Sequence, residues 1–224
     1  MKKLLLLVLL FQSFLSFSQT IQQIDSVTIK MCESLVSLKT ETTAEARASH
    51  IFQKHLPEFY RKLQVSSQRQ ADSITDKIYY RLQKNCKPFS LLLSELEENK
   101  SDWKNLDEKP TLKAEQKECK NILKGGKFYY KEHNGNIVNV TITATTWEES
   151  FEDNTFSKLK LYPKDNCEFE IEFIESNNEM RKNLSVKGDI YHYGIYAIKD
   201  GVLELWSRNV VDNSYTAFKL YPRK

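Results

Sequence analysis

Lys158-Leu159-Lys160-Leu161-Tyr162-Pro163-Lys164-Asp165-Asn166-Cys167-Glu168-Phe169-Glu170-Ile171-Glu172-Phe173 reads as two strands joined by a turn. Apolar and charged residues alternate with period two on both sides of Pro163-Lys164-Asp165-Asn166, the pattern of strands with one face in a core and one in water. The charges suggest a register. With Leu161 opposite Cys167 and Leu159 opposite Phe169, Lys160 faces Glu168 and Lys158 faces Glu170 on the wet side, whereas a one-residue slip pairs apolar with charged partners.

Working outward, the same period runs from Gly126 to the C-terminus. Phe128 and Tyr130 alternate with lysines, Asn134-Gly135 beside His133 marks a hairpin turn, and Ile137 to Thr146 is a long β-branched strand. Strands follow at 190–198, 202–207 and 215–221, with turns at Asp200-Gly201 and near Asp212-Asn213. Six or seven consecutive short antiparallel strands must hide their edges, most simply by curling into a barrel or half-barrel.

Upstream the period is helical. Ile24, Val27, Thr28, Met31, Leu35 and Leu38 form one stripe with Cys32 at its edge. A second helix begins after Thr42 or Thr43, either of which can cap it, and buries Phe52, Leu56, Phe59 and Leu63; Pro57 is expected to kink or restart it near His55 or Leu56. A third segment carries Ile74, Ile78, Leu82, Cys86, Phe89, Leu93 and Leu96, and Pro88 predicts a kink or two abutting helices. The aromatics divide at the same place: seven between Gln19 and Gly125, sixteen from Gly126 onward. The fold class is therefore α+β, an N-terminal helical bundle followed by a C-terminal antiparallel β-meander. The expected domains are a helical one over 19–105, a charged linker with a short helix over 106–125, and a β-domain over 126–224.

Residues 1–18 read as a signal peptide. Met1-Lys2-Lys3, the apolar run Leu4 to Phe11 and Ser16-Phe17-Ser18 predict cleavage after Ser18 and a periplasmic or extracellular protein. Gln12 and Ser13 leave the apolar run too short to span a bilayer, and no stable membrane span is expected after signal removal. The net charge is +3; Lys2 and Lys3 lie in the leader, leaving 31 basic against 30 acidic residues, so there is no global electrostatic reason to bind nucleic acid. Six glycines also make a glycine-rich phosphate loop hard to build.

In an oxidising compartment Cys32, Cys86, Cys119 and Cys167 form two disulfides, and three pairings are open. The stripes of the first and third helical segments favour Cys32 with Cys86.

Cys119-Lys120-Asn121-Ile122-Leu123-Lys124-Gly125-Gly126-Lys127-Phe128, leading into Asp165-Asn166-Cys167-Glu168-Phe169-Glu170-Ile171, resembles secreted bacterial lipocalin-like (calycin-type) proteins of unknown function over roughly residues 119–224. The resemblance implies a barrel or half-barrel and a Cys119 to Cys167 disulfide. It departs from the group between Ile137 and Thr146, where the Arg that members carry on the second strand is missing. It brings no biochemical activity.

No catalytic constellation emerges. His50 and His55 are five apart, His55 with Glu58 is half a metal site at most, and His133 and His192 sit in a turn and a strand. Catalytic, cofactor and metal residues are each read as none. Glu168, Glu170 and Glu172 have the spacing of a carboxylate pair for hydrolysis, but a solvated face neutralised by Lys158 and Lys160 is the expectation. Asp25-Ser26-Val27, Asp72-Ser73-Ile74, Asn139-Val140-Thr141 and Asn183-Leu184-Ser185 match three-residue glycosylation patterns, which arise often by chance. Phe128, Tyr130, Phe169, Ile171, Phe173, Tyr193 and Trp206 are the residues to line a cavity; with few small residues on these strands, a filled core is expected instead. The functional expectation is a non-enzymatic binding protein for a protein surface or a small apolar ligand. The alternatives are a hydrolase using Glu168 and Glu170, or a β-domain serving as a secretion signal around Gly194-Ile195-Tyr196 and Pro222-Arg223-Lys224.

Overall fold

A computed structural model of the chain describes residues 21–38, 43–96, 102–132, 134–210 and 213–223. The signal segment with its cleavage site, Thr42, His133 and Asp212 lie outside the described residues. The chain forms two compact units, Met1–Leu96 and Glu97–Lys224. The division falls ahead of the expected end of the helical domain at 105, and residues 104–106 form a strand of the sheet.

The first unit is helical: α1 (residues 21–37), α2 (Ala44–Lys62), α3 (Gln68–Asn85) and α4 (Lys87–Leu96). Its core gathers Ile24, Met31, Ile51, Ile78, Leu82 and Phe89, all buried, each contributing about 1.5–3 kcal/mol of apolar burial. Thr43 caps α2 by accepting from the Ala46 N–H. Pro57 does not restart α2, which runs through it to Lys62. The single backbone bond lost there is outweighed by the packing of Ile51 and Phe59 on either side. Pro88 does divide α3 from α4. It sits in the first turn of α4, where its missing N–H costs nothing, and the Cys86 carbonyl accepts from Phe89 and Ser90. Cys32 and Cys86 form a disulfide that ties α1 to the end of α3. A bidentate clamp lies along the same pair of helices, the Arg81 guanidinium donating to Asp25 at 2.7 and 2.8 Å.

The second unit is a closed antiparallel barrel of eight strands: β2 (Gly125–Lys131), β3 (Ile137–Thr143), β4 (Thr146–Ser150), β5 (Phe156–Pro163), β6 (Glu168–Ser176), β7 (Ile190–Lys199), β8 (Val202–Arg208) and β9 (Tyr215–Pro222). Each pairs with its sequence neighbour, and β9 returns to β2. This is a lipocalin-like up-and-down closure, which removes the edges a meander would otherwise expose. The seam is short: β9 meets β2 through Phe128↔Pro222 and Tyr129↔Tyr221, and the Arg223 N–H donates to the Lys127 carbonyl at 2.8 Å beside them. A short strand, β1 (Lys104–Leu106), pairs with Tyr215, Thr216 and Ala217 of β9. Just before it, Trp103 stacks on Phe218 at 4.7 Å and donates its indole N–H to the Lys131 carbonyl at 2.5 Å. The sequence reading placed these residues in the helical domain, and they are in fact part of the barrel's closure.

Two strand readings are corrected. The run Ile137 to Thr146 is not one strand. It breaks after Thr143, whose hydroxyl accepts from the Thr145 and Thr146 N–H groups at 3.3 and 3.0 Å. Such a side-chain turn is hidden inside a sequence whose β-branched composition favours strand throughout. In the β5–β6 hairpin the faces are as expected, but the partners are displaced by four residues. Leu161 faces Ile171, Leu159 faces Phe173 and Lys160 faces Glu172. The turn is centred two residues later than the charge pattern implied: Lys164 N–H donates to the Glu168 carbonyl at 2.8 Å, and Asn166 and Cys167 take left-handed φ of 57° and 62°. Because Glu168, Glu170 and Glu172 repeat with the sheet's own period, any even shift preserves the charge match, so charge alone fixes the face and not the register. Cys167 thus lies in the turn, where its disulfide to Cys119 joins it to α5 (Gln116–Ile122).

Candidate functional site

A cavity of about 190 Å³ lies inside the barrel. Strand β4 supplies its central wall, because period two points Trp147 and Glu149 inward together. Leu159, Ile171, Phe173, Tyr193 and Phe218 complete the apolar lining, and Tyr130, Ser157, Ser185 and Tyr191 add hydroxyls.

A short helix, α6 (Glu179–Leu184), closes one side. Asn178 starts it by accepting from the Arg181 N–H, and the same side chain donates to Thr155 at 2.9 Å, pinning the helix to the β4–β5 connection. Ser185, one residue beyond the helix, hydrogen-bonds to the Tyr191 hydroxyl.

From α6 the Arg181 guanidinium enters the barrel. Its Nε donates to Glu149 at 3.0 Å, and one terminal nitrogen donates to Glu132 at 3.0 Å and to the Tyr130 hydroxyl at 2.6 Å. Tyr130 in turn donates to the second Glu149 oxygen at 3.0 Å. The side-chain exposures of Arg181, Glu132 and Glu149 are 14%, 18% and 12%, so the cluster is largely withdrawn from water. Burial opposes the charge on Arg181, yet Tyr130, Glu149 and Glu132 outweigh it and hold its pKa well above the ordinary value. Burial likewise pushes the Tyr130 phenol well up, against the pull of Arg181, and does the same to Tyr193. Both phenols are therefore neutral donors. Arg181 is the internal guanidinium of this barrel, and it comes from a helix after β6, not from the second strand.

Trp147 is 2% exposed. Its buried indole N–H has no acceptor among the described residues. An indole nitrogen can only donate, and a buried donor left unpaired costs about 1–3 kcal/mol.

Of the residues expected to line a cavity, Tyr130, Ile171, Phe173 and Tyr193 do so. Phe128 and Phe169 belong to the packed core and do not line it, although Phe169 stacks on Trp147 and Tyr193, which do. Trp206 is buried but is not part of the core inside the barrel; it packs over Gly194, with Tyr215 at 5.5 Å and the Lys109 ammonium at 5.0 Å. The barrel is neither hollow throughout nor completely filled. Glu168, Glu170 and Glu172 lie on the opposite face of β6 from Phe169, Ile171 and Phe173, which point into the core. Lys109 pairs with Glu168 at 2.6 Å, Lys164 with Glu170 at 3.0 Å, and Tyr162 donates to Glu172 at 2.6 Å. Lys158 instead approaches Glu148 at 3.6 Å. His55 bonds Ser34 at 2.8 Å and Glu58 pairs with Lys62, while His192 approaches Glu170 at 3.3 Å. Among the described residues no group of three metal-ligating side chains occurs and no helix is long and apolar enough to cross a membrane. Asn183 is buried and donates to Glu179, so its glycosylation motif is sequestered.

Sequence reasoning missed Arg181, Glu149, Glu132, Trp147 and Trp103. The Trp147 and Glu149 alternation was available, had the Thr143 to Thr146 turn been recognised. A larger groove of about 580 Å³ lies between α5 and the β5–β6 turn, beside the Cys119–Cys167 disulfide and with Lys120, Lys124 and Lys164 among its lining residues. No family model, curated protein or solved structure matches the chain.

Proposed function

We propose that this chain is a secreted or periplasmic lipocalin-like binding protein that holds a small molecule inside its barrel. The observation that carries this reading is the cavity of about 190 Å³ inside the closed barrel, walled by aromatic and aliphatic side chains and bordered by a fixed ionic cluster. An apolar cavity with a few fixed polar groups is the form that small-molecule sites take. Two disulfides suit an oxidising compartment, and the leader-like N-terminus and the resemblance over 119–224 support the same placement. The outward, ion-paired setting of Glu168 and Glu170 gives no cleft for hydrolysis.

Native mass spectrometry of the protein isolated from its own host tests the reading. The expected result is a mature mass beginning near Gln19, with both disulfides formed and a small molecule that dissociates on activation. A bare protein, together with an indole N–H resonance for Trp147 that no small ring compound shifts, would overturn it.

A further inference from the structure

We infer that the ligand is a single-ring molecule bearing a protonated amine. This rests on the proposed function, since it concerns the same cavity. The volume limits size. An engineered apolar cavity of about 150 Å³ in another protein admits benzene, so 190 Å³ admits one ring with short substituents and not a long acyl chain. The walls favour a flat molecule: Trp147 and Tyr193 present rings inclined by only 20° with centroids 6.3 Å apart.

Charge decides the polar group. Glu149 lies two residues beyond Trp147 on the inward face of β4, roughly 6–7 Å away at the backbone. The one guanidinium of Arg181 stands against the two carboxylates of Glu132 and Glu149, so the cluster carries a net negative charge. Withdrawn from water, that charge attracts an ammonium and repels a carboxylate. Arg181 does not offer an anion site in compensation, because the nitrogens that face the cluster already donate to Glu149, Glu132 and Tyr130. An incoming anion would have to displace one of those bonds and leave a buried carboxylate unpaired.

Three probes of matched shape separate the possibilities: 4-methoxybenzylamine, 4-methoxybenzyl alcohol and 4-methoxybenzoate, titrated calorimetrically into the full chain near neutral pH. The amine is expected to bind tightest and the benzoate at least about tenfold more weakly. Glu149→Gln should erase the preference of amine over alcohol. The comparison of probes on the unaltered protein needs no variant, so it stands even where Glu149→Gln folds poorly. Benzoate binding as tightly as the amine would overturn the inference while leaving a small-molecule cavity in place. Binding of benzene with none of the three probes would do the same. If neither the probes nor benzene bind, the inference and the proposed function fall together.

Discussion

Replacing Arg181 with Met removes the guanidinium and keeps an unbranched side chain in its place. Three hydrogen bonds disappear, to Glu149, Glu132 and Tyr130. More costly is what remains, two carboxylates with side-chain exposures of 12% and 18% and no cation between them. Breaking a buried ion pair by removing one partner costs about 3–5 kcal/mol. For a unit the size of Glu97–Lys224, each kcal/mol lowers Tm by roughly 3–6 °C, so the barrel should melt about 9–30 °C earlier. Trp103, Trp147 and Trp206 all belong to this unit and the helical unit has none. Urea unfolding followed by tryptophan fluorescence therefore reads the barrel alone. The triple variant Arg181→Met, Glu132→Gln, Glu149→Gln should regain most of the loss, since a neutral cluster has no charge to strand. A loss under about 1 kcal/mol for Arg181→Met, or a triple variant as unstable as the single one, would refute the reasoning.

Replacing Cys119 and Cys167 together with Ser opens a loop with a sequence separation of 48; chain entropy puts the loss at about 4 kcal/mol, measured as the fall in the barrel's urea midpoint, with the helical unit's far-ultraviolet transition unchanged. Gly194→Ala places a Cβ 2.5 Å from the Trp206 ring; the overpacking should cost about 1–3 kcal/mol, and trimming the ring with Trp206→Leu in the same chain should restore part of it. His55 has its pKa lowered below 6.5 by burial and then by Lys54 and Lys30. The unfolded chain therefore takes up a proton first as pH falls, so this group's contribution to helical-unit stability is full above about 6.5 and declines as pH falls toward the folded value; His55→Gln should flatten that slope in circular dichroism melts. Tyr221, raised to about 12 by burial and its bond to Asp102, should remain protonated at a pH where exposed tyrosines ionise, and Tyr221→Phe should remove that late step from an ultraviolet titration.

Much of the architecture was legible along the chain. Helical spacing marked α1, α3 and α4 with the Pro88 break, and alternation marked the faces of β5 and β6 correctly. The first disulfide followed from two apolar stripes, and the second came with the resemblance over 119–224. The errors share a cause. Pro57 is a local signal that helix packing overrode, and the Thr143 to Thr146 turn is made by a side-chain hydroxyl in a run whose composition says strand. The β5–β6 register is degenerate in charge, so the tight turn through Asn166 and Cys167 chose among equivalent matches.

The candidate site was legible only in part. Tyr130, Ile171, Phe173 and Tyr193 could be placed by alternation because each is an inward position on a strand. Glu149 shares that alternation but only once the turn before β4 is seen, and Arg181 and Glu132 could not be placed, since both lie outside the strands and their sequence neighbourhoods are those of ordinary surface charges. Residue order by itself determined the periods, hence two units, one helical and one an antiparallel meander, and which strand faces turn inward. Only the tertiary structure decided that the meander closes with the help of Trp103, that Trp206 lies outside it, and that a guanidinium from α6 meets two carboxylates beside an unpaired indole. The physical reason is that period and propensity act between near neighbours. The electrostatics of a buried site depend on which distant charges the closed barrel withdraws from water together.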